Sequence, residues 1–353
     1  MPGPTNIDEV QQSVGDCKMV IPTGGNTKPA LAAVADNYER ISMLRLSGVV
    51  EYDPGEFTIT VLAGTTLSEV QEVLRDQGQY LPFDPPLASA GATIGGAVAA
   101  GLSGPGAYRF GPIRDFLIGV RYIDVEGKVI TAGGKVVKNS AGFDIPKFLI
   151  GSIGRLGVLV ELTFKVFPEP EARSTFSFPA NDPEQAAELM ARFNRSFFDL
   201  EALDYLPDTN LLWGRLAGNA KAMNARLQRI GKLADGITIH ERDRSNDFWQ
   251  EQLDFSWIDP DLPLAKFAIT ASSIKRHDGE KKNFRFSLGG NTAWVNAPVE
   301  FLKQNDIFEM PGMLIRNPDM DGSIWTRQPK PLFKIQTALK DALDFPGKFP
   351  PFF

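Results

Sequence analysis

Between residues 88 and 111 the chain reads ASAGATIGGAVAAGLSGPGAYRFG, almost wholly glycine and alanine, with no charge before Arg109. Side chains this small cannot fill a core, yet the stretch is too apolar for an ordinary solvated loop. Such a segment suits a place where the backbone must come close to something, either other backbone or a ligand. A membrane span is a poor alternative, because large apolar residues are missing and Pro105 interrupts the run. The spacing Gly91-x-x-x-Gly95 matches a transmembrane packing motif, but its context is wrong.

A second glycine-rich loop lies upstream, Pro22-Thr23-Gly24-Gly25-Asn26-Thr27. Successive backbone N–H groups in such a turn form a concave nest for an anion. Thr23, Asn26, Thr27, Thr93 and Ser103 add side-chain hydrogen-bonding groups, so the two loops can hold a pyrophosphate without an arginine. Tight turns with close-packed backbone would use glycine in the same way. Spacing does not separate these readings: there is no GxxxxGK[ST] and no GxGxxG within a βαβ unit.

A length of 353 residues suggests two domains. The net charge of −6 argues against nucleic acid, which needs clustered Lys and Arg. One cysteine, Cys17, allows neither a disulfide framework nor an iron–sulfur cluster within the chain. The two histidines, His240 and His277, exclude a multi-histidine zinc site and leave residues 1–239 without histidine. MPGPTNIDEV has no apolar signal core, so a cytoplasmic location is expected, with any membrane contact made through partners.

Pattern and punctuation predict the elements. A polar segment with a short helix leads to a buried strand at Met19 to Ile21. Pro54-Gly55 joins two strand-like runs, whose second carries residues on both faces that can be covered. Thr66 and Glu69 form a capping box before the stripe Leu67, Val70, Val73, Leu74, and Gly78 ends that helix. A second hairpin turns at Glu126-Gly127. A short helix, a glycine turn and a strand from Val158 to Val166 follow. Pro168 and Pro170 mark a domain boundary. Residues 171–325 read as an antiparallel sheet with helices, and 326–353 as a helix with a Pro/Phe-rich tail.

The order PTGGNT, VLAGTTLSEVQEVL, ATIGGAVAAGLSGPGAYRFGPIRDFLIGV and KNSAGFDIPKFLIGSIGRLGVLVELTFK resembles the FAD-binding domain of the vanillyl-alcohol oxidase type, the PCMH-type flavoproteins. The resemblance covers about residues 15–170. Within that family the chain is most similar to the smaller flavin-binding subunits of bacterial glycolate oxidases, in length and in the tail LKDALDFPGKFPPF as well. It implies an α+β chain: a two-subdomain FAD-binding domain over 1–170, a smaller α+β domain with an antiparallel sheet over 171–325, and a C-terminal helix and tail over 326–353. It implies FAD cradled by Thr23, Gly24, Gly25, Asn26 and Thr27. The cofactor would run along Gly91, Thr93, Ile94, Gly95 and Gly96, with Ser103 and Gly104 beyond. Gly154, Gly157, Val158 and Val160 would meet its adenine side. A histidine link is excluded in the first half, so a non-covalent FAD is expected. The implied partners are a larger flavoprotein subunit and an iron–sulfur subunit, and the implied substrate is a small 2-hydroxy acid such as glycolate.

Three departures stand out. Relatives carry asparagine where this chain has Gly101, tyrosine where it has Phe143, and Asn-Pro-Gly where its tail has Phe-Pro-Pro. Other side chains have two readings each. Arg109 and Arg114 could steer an anion, but salt-bridged arginines explain them more simply, with Asp115 adjacent. Lys138 and Asn139 either face the flavin or form a surface turn. His240 and His277 sit in charged segments and read as solvated, and Cys17 reads as a small, partly buried residue. Trp249, Trp257, Trp294 and Trp325 read for the most part as core packing, with a pocket or partner surface as the alternative. A flavin-carrying subunit of a complex is the leading function. A self-sufficient flavin enzyme and a scaffold with a vestigial site are the alternatives.

Overall fold

The computed structural model describes residues 3–134, 144–276, 283–304, 312–318, 324–325 and 330–352. The chain forms two compact units, the first from 1–103, 112–169 and 329–353 and the second from 104–111 and 170–328. Two segments therefore depart from chain order. A short piece of the glycine-rich stretch packs with the second unit, and the C-terminal segment packs with the first. No helix among the described residues is long and apolar enough to cross a membrane.

In the first unit, α1 (Ile7–Asp16) begins at Asn6, whose side chain accepts from the Glu9 N–H. The strands β1 (Val20–Thr23) and β2 (Glu39–Ser42) pair in parallel. The hairpin of β3 (Val49–Asp53) and β4 (Thr58–Leu62) turns at the expected Pro54-Gly55. In β4, Thr58 to Val61 are all buried, so both faces are covered. Next, α2 (Leu67–Arg75) carries the complete capping box of Thr66 and Glu69. A short strand, β5 (Gln79–Tyr80), follows. The glycine-rich stretch contains a seven-residue helix, α3 (Ile94–Ala100). Its composition disfavours a free helix; capping and burial hold it. Thr93 caps it, and Ile94, Gly95, Ala97, Val98 and Ala100 are buried. Gly101 closes it at φ +64, the left-handed conformation that glycine and asparagine adopt most readily.

The stretch then passes through α4 (Ala107–Phe110), which belongs to the second unit. In the first unit β6 (Leu117–Ile123), β7 (Val129–Gly133), α5 (Ile145–Leu149), β8 (Val158–Lys165) and β9 (Phe167–Pro168) follow. A five-stranded antiparallel sheet runs β3-β4-β8-β6-β7, and β5 pairs with β9. Val10, Val14, Val20, Ile41, Val158 and Val160 share one core with Phe349 from the tail.

That tail is tied down along its length. The Val20 N–H donates to the Lys348 carbonyl at 2.8 Å, and Lys348 Nζ donates to Val14 O at 2.8 Å. Lys340 Nζ donates to the carbonyls of Arg155 at 2.6 Å and Phe349 at 2.9 Å. Arg155 Nε donates to Pro351 O at 2.7 Å. The segment closes the first unit because these donors and the Phe349 ring, 1 % exposed, meet nowhere else.

The second unit holds an eight-stranded antiparallel sheet: β10 (Ala172–Pro179), β11 (Ala202–Leu206), β12 (Leu211–Gly218), β13 (Thr238–His240), β14 (Leu264–Ala268), β15 (Phe284–Ser287), β16 (Thr292–Asn296) and β17 (Gly312–Arg316), in the order β13-β10-β12-β11-β15-β16-β14-β17. Besides α4, its described α-helices are α6 (Pro183–Asn194), α7 (Ala220–Ile230), α8 (Arg242–Asp254) and α9 (Val299–Gln304). The α+β class stands. The expected short helix around Phe248 starts earlier, at Arg242, because the charged turn RDRS supplies its solvent face.

One face of the sheet is aromatic and apolar, with Phe176, Phe178, Tyr205, Phe284 and Phe286 fully buried. The other carries ion pairs. Glu201, 0 % exposed, accepts from Arg173 Nε at 3.1 Å and lies 2.7 Å from Arg215 Nε. Removing one partner from such a group strands buried charge. Glu201→Gln is expected to destabilise the second unit by about 3 kcal/mol, read by denaturant unfolding. Phe349→Ala is expected to cost the first unit about 3–5 kcal/mol, and a change below 1 kcal/mol would show that the tail is peripheral.

Candidate cofactor site

The first unit contains a cavity of about 110 Å³, partly open to solvent. Its wall brings together three segments far apart in sequence: the loop after β1, the start of α3, and the turn before β8. Thr23, Gly24, Gly25, Asn26, Thr27, Thr93, Gly95, Gly96, Gly154 and Gly157 all line it. The remaining wall is mostly apolar, with Ile21, Leu31, Met43, Ala63, Ile153 and Leu159 among its members.

The glycines of the two loops face each other. A Cβ on Gly25 would overlap the Gly91 carbonyl oxygen, and one on Gly24 would overlap Thr93 Oγ1. A Cβ on Gly95 would lie 2.7 Å from Ala63 O. Gly154 sits at φ +70 and packs on Pro22, which belongs to the first loop's own strand. Close backbone packing and a ligand cavity are thus the same feature. The loops can enclose a site only because nothing keeps their backbones apart.

The two loops differ in which donors they leave open. At α3, the N–H of Ile94 goes to Thr65 O and that of Gly95 to Ala63 O, both at 2.9 Å. The Gly96 N–H goes to Thr93 Oγ1 at 3.1 Å. The helix start is already satisfied by protein. In the first loop, the N–H groups of Gly24, Gly25, Asn26 and Thr27 have no acceptor among the described residues. Asn26 adopts φ +51, which bends successive N–H groups to one side. Residues 24–27 are half-buried to exposed, so these donors stay open to a ligand, and the curved row of them fits an anion.

Lys28, just past the loop, also lines the cavity. It is 8 % exposed, and burial pushes its pKa down to about 8. The loop reading stopped at Thr27 and missed it. The available signal was a lysine directly after the glycine loop and before Pro29, which steers Lys28 away from a helical backbone.

Six expected site residues are not brought to the cavity wall. Ile94, Val158 and Val160 are buried in the core of the first unit. Ser103 is buried, and its hydroxyl accepts the Ile113 N–H at 2.9 Å. Gly91 supports the first loop from behind, and Gly104 belongs to the second unit. Arg109 pairs with Asp199, which supports its salt-bridged reading over steering, and Arg114 donates to the backbone carbonyl of Lys147 at 3.3 Å.

His240 is not solvated as its charged segment suggested. Its ring stacks on Trp213 with centroids 4.3 Å apart, Nε2 lies 2.9 Å from Ser177 Oγ, and burial lowers its pKa. Cys17 is partly buried against the core, which raises its pKa. Trp249 and Trp294 are buried, as core packing requires. Lys138, Asn139, Phe143 and His277 lie outside the described residues.

A model of the FAD binding domain family matches residues 3–133. The chain is 30 % identical over 349 residues to the glycolate oxidase subunit GlcE of Escherichia coli K12, covering 98 % of this chain and 95 % of that one. It is 31 % identical over 214 residues to a D-2-hydroxyglutarate dehydrogenase of Xanthomonas citri, and 25 % identical over 214 residues to the glycolate oxidase subunit GlcD of Bacillus subtilis. Each of these matches covers 59 % of this chain and 45 % of the relative. A solved alkyldihydroxyacetonephosphate synthase superposes on 98 % of this chain and 74 % of its own, with a TM-score of 0.70 at 16 % identity, a likeness of fold. The chain belongs to the PCMH-type FAD-binding flavoproteins, in the family that includes the glycolate oxidase subunit GlcE.

Proposed function

We propose that this chain is the FAD-binding subunit of a glycolate (2-hydroxy acid) dehydrogenase of several subunits. The observation that carries the reading is its similarity to GlcE along nearly the whole of both chains. The dehydrogenase and GlcD relatives are matched over under half of their length. Their shared part supports flavin-dependent oxidation of a hydroxy acid as the wider class.

The residues of the cavity fit FAD. Four open N–H groups and a buried ammonium suit a pyrophosphate, and thin apolar walls suit flat rings. Bound FAD supplies a two-electron acceptor for oxidation of an alcohol carbon to a carbonyl. In this reading Gly24 to Thr27 donate to the pyrophosphate, Thr93, Gly95 and Gly96 form a floor without bulk, and Gly154 and Gly157 shape the far wall. No described residue lining the cavity is a histidine, cysteine or tyrosine, which supports a non-covalent cofactor. Nor is any a carboxylate.

The reading places substrate oxidation with a larger flavoprotein partner. A single cysteine cannot ligate an iron–sulfur cluster, so onward transfer of electrons falls to an iron–sulfur partner. The open donors of the first loop and the buried Lys28 beside them support this reading over a vestigial scaffold.

The purified chain is expected to carry about one FAD per chain, fully released by acid; a chain that takes up no FAD would overturn the reading. Gly25→Ala forces the two loops apart and is expected to weaken FAD binding at least about 10-fold, ~1.4 kcal/mol, by flavin fluorescence titration. Full affinity in that variant would remove the loop contact from the account.

A further inference from the structure

Among the described residues of the first unit two cations are buried, and their surroundings differ. Arg155, 3 % exposed, spends its donors on backbone: Nη1 on Leu31 O at 3.2 Å and Ile153 O at 3.0 Å, and Nε on Pro351 O at 2.7 Å. It braces two residues of the cavity wall and the C-terminal tail, so its role is accounted for by the protein.

Lys28 has no such account. Its ammonium carries three donors, and among the described residues it donates only to Thr27 Oγ1, at 2.9 Å. No carboxylate lies within ion-pairing distance among the described residues, and no Asp or Glu lines the cavity. No charged side chain contributes to its depressed pKa, which arises from burial alone. A lysine is rarely buried without a partner, because desolvating its charge is costly. Next to it lie the four unpaired N–H groups of the loop. A neutral nest, a buried cation and an otherwise uncharged wall describe a site completed by an anion that the protein does not supply.

We propose that Lys28 pairs as an ammonium with the pyrophosphate of bound FAD and sets the affinity for the phosphate-bearing part of the cofactor. The inference rests on the FAD reading above. Ionisation of Lys28 is then linked to occupancy. In the free chain its pKa is about 8, below the ordinary 10.5. Pairing with an anion moves it back up. FAD binding above pH 8 therefore takes up a proton, and affinity falls as pH rises through that range.

The linkage to stability has the opposite sign in the free chain. Because the folded pKa is depressed, the unfolded chain binds more protons between pH 8 and 10.5. The burial penalty is complete below about pH 8 and is relieved as pH rises above it. Removing the charge at neutral pH should therefore stabilise the free chain while weakening FAD.

The test is titration of the full-length apo chain with FAD and with riboflavin, which has no phosphate, between pH 7 and 9.5. Wild type and Lys28→Met are compared, with thermal unfolding of both apo proteins. At pH 7 the variant is expected to bind FAD about 10- to 100-fold more weakly, the range for a charge-assisted hydrogen bond. Riboflavin binding should not change, and the apo variant should melt higher than wild type. Wild-type FAD affinity should fall above pH 8, approaching tenfold per unit, and that fall should vanish in the variant.

Equal FAD affinity in wild type and variant, or a flat wild-type profile to pH 9.5, overturns the assignment while leaving FAD binding intact. So does an apo variant that melts lower or does not fold, since Lys28 would then be structural. A wild-type chain that binds neither probe overturns the FAD reading itself.

Discussion

The contact of Gly25 with the Gly91 carbonyl, backed by Gly24 against Thr93, is what the rest of the first unit is arranged around. It brings the loop after β1 onto the lead-in to α3 with no side chain between them. The same lead-in ties α3 to its neighbours through Leu67 N–H to Ala92 O, Ile94 N–H to Thr65 O and Gly95 N–H to Ala63 O. A single methyl group at Gly25 would separate the loops and open the cavity they enclose. The glycine content of residues 88–111 is a packing requirement first, and the ligand site is its consequence.

The polar groups around the cavity fall into two classes. The start of α3, Ser103 and Arg155 have their partners within the protein, and these interactions fix the wall. The N–H groups of Gly24 to Thr27 lack them among the described residues, the ammonium of Lys28 has only the Thr27 hydroxyl, and all five residues line the cavity. A buried ammonium with a single neutral partner lowers the stability of the free chain and becomes favourable when an anion arrives. The tail contributes to the first class. Lys340 holds the Arg155 carbonyl, Arg155 holds Leu31 and Ile153, and so the C-terminus supports a wall more than 180 residues away in sequence.

Much of this was legible because it is local. The capping box at Thr66, the Pro54-Gly55 turn and the Glu126-Gly127 turn each show in a few consecutive residues. The two glycine loops were legible as a pair through their order along the chain. What escaped depends on distant contacts. A helix at Ile94–Ala100 is hidden by Gly-Ala composition and is stabilised by burial. His240 looked solvated from its charged neighbours, but Trp213 covers it. The Pro/Phe-rich tail looked like an appendage until Phe349 reached the core. Gly101 ends α3 in the left-handed conformation at φ +64, which a glycine in a Gly-Ala run does not announce.

Amide hydrogen exchange of the full chain, with and without FAD, tests the division of labour between the two loops most directly. The account predicts that FAD slows exchange at Gly24, Gly25, Asn26 and Thr27, whose N–H groups gain acceptors. It predicts little change at Ile94, Gly95 and Gly96, whose N–H groups are already bonded. Strong new protection at the start of α3, with the first loop unchanged, would contradict it and place the anion at the helix instead.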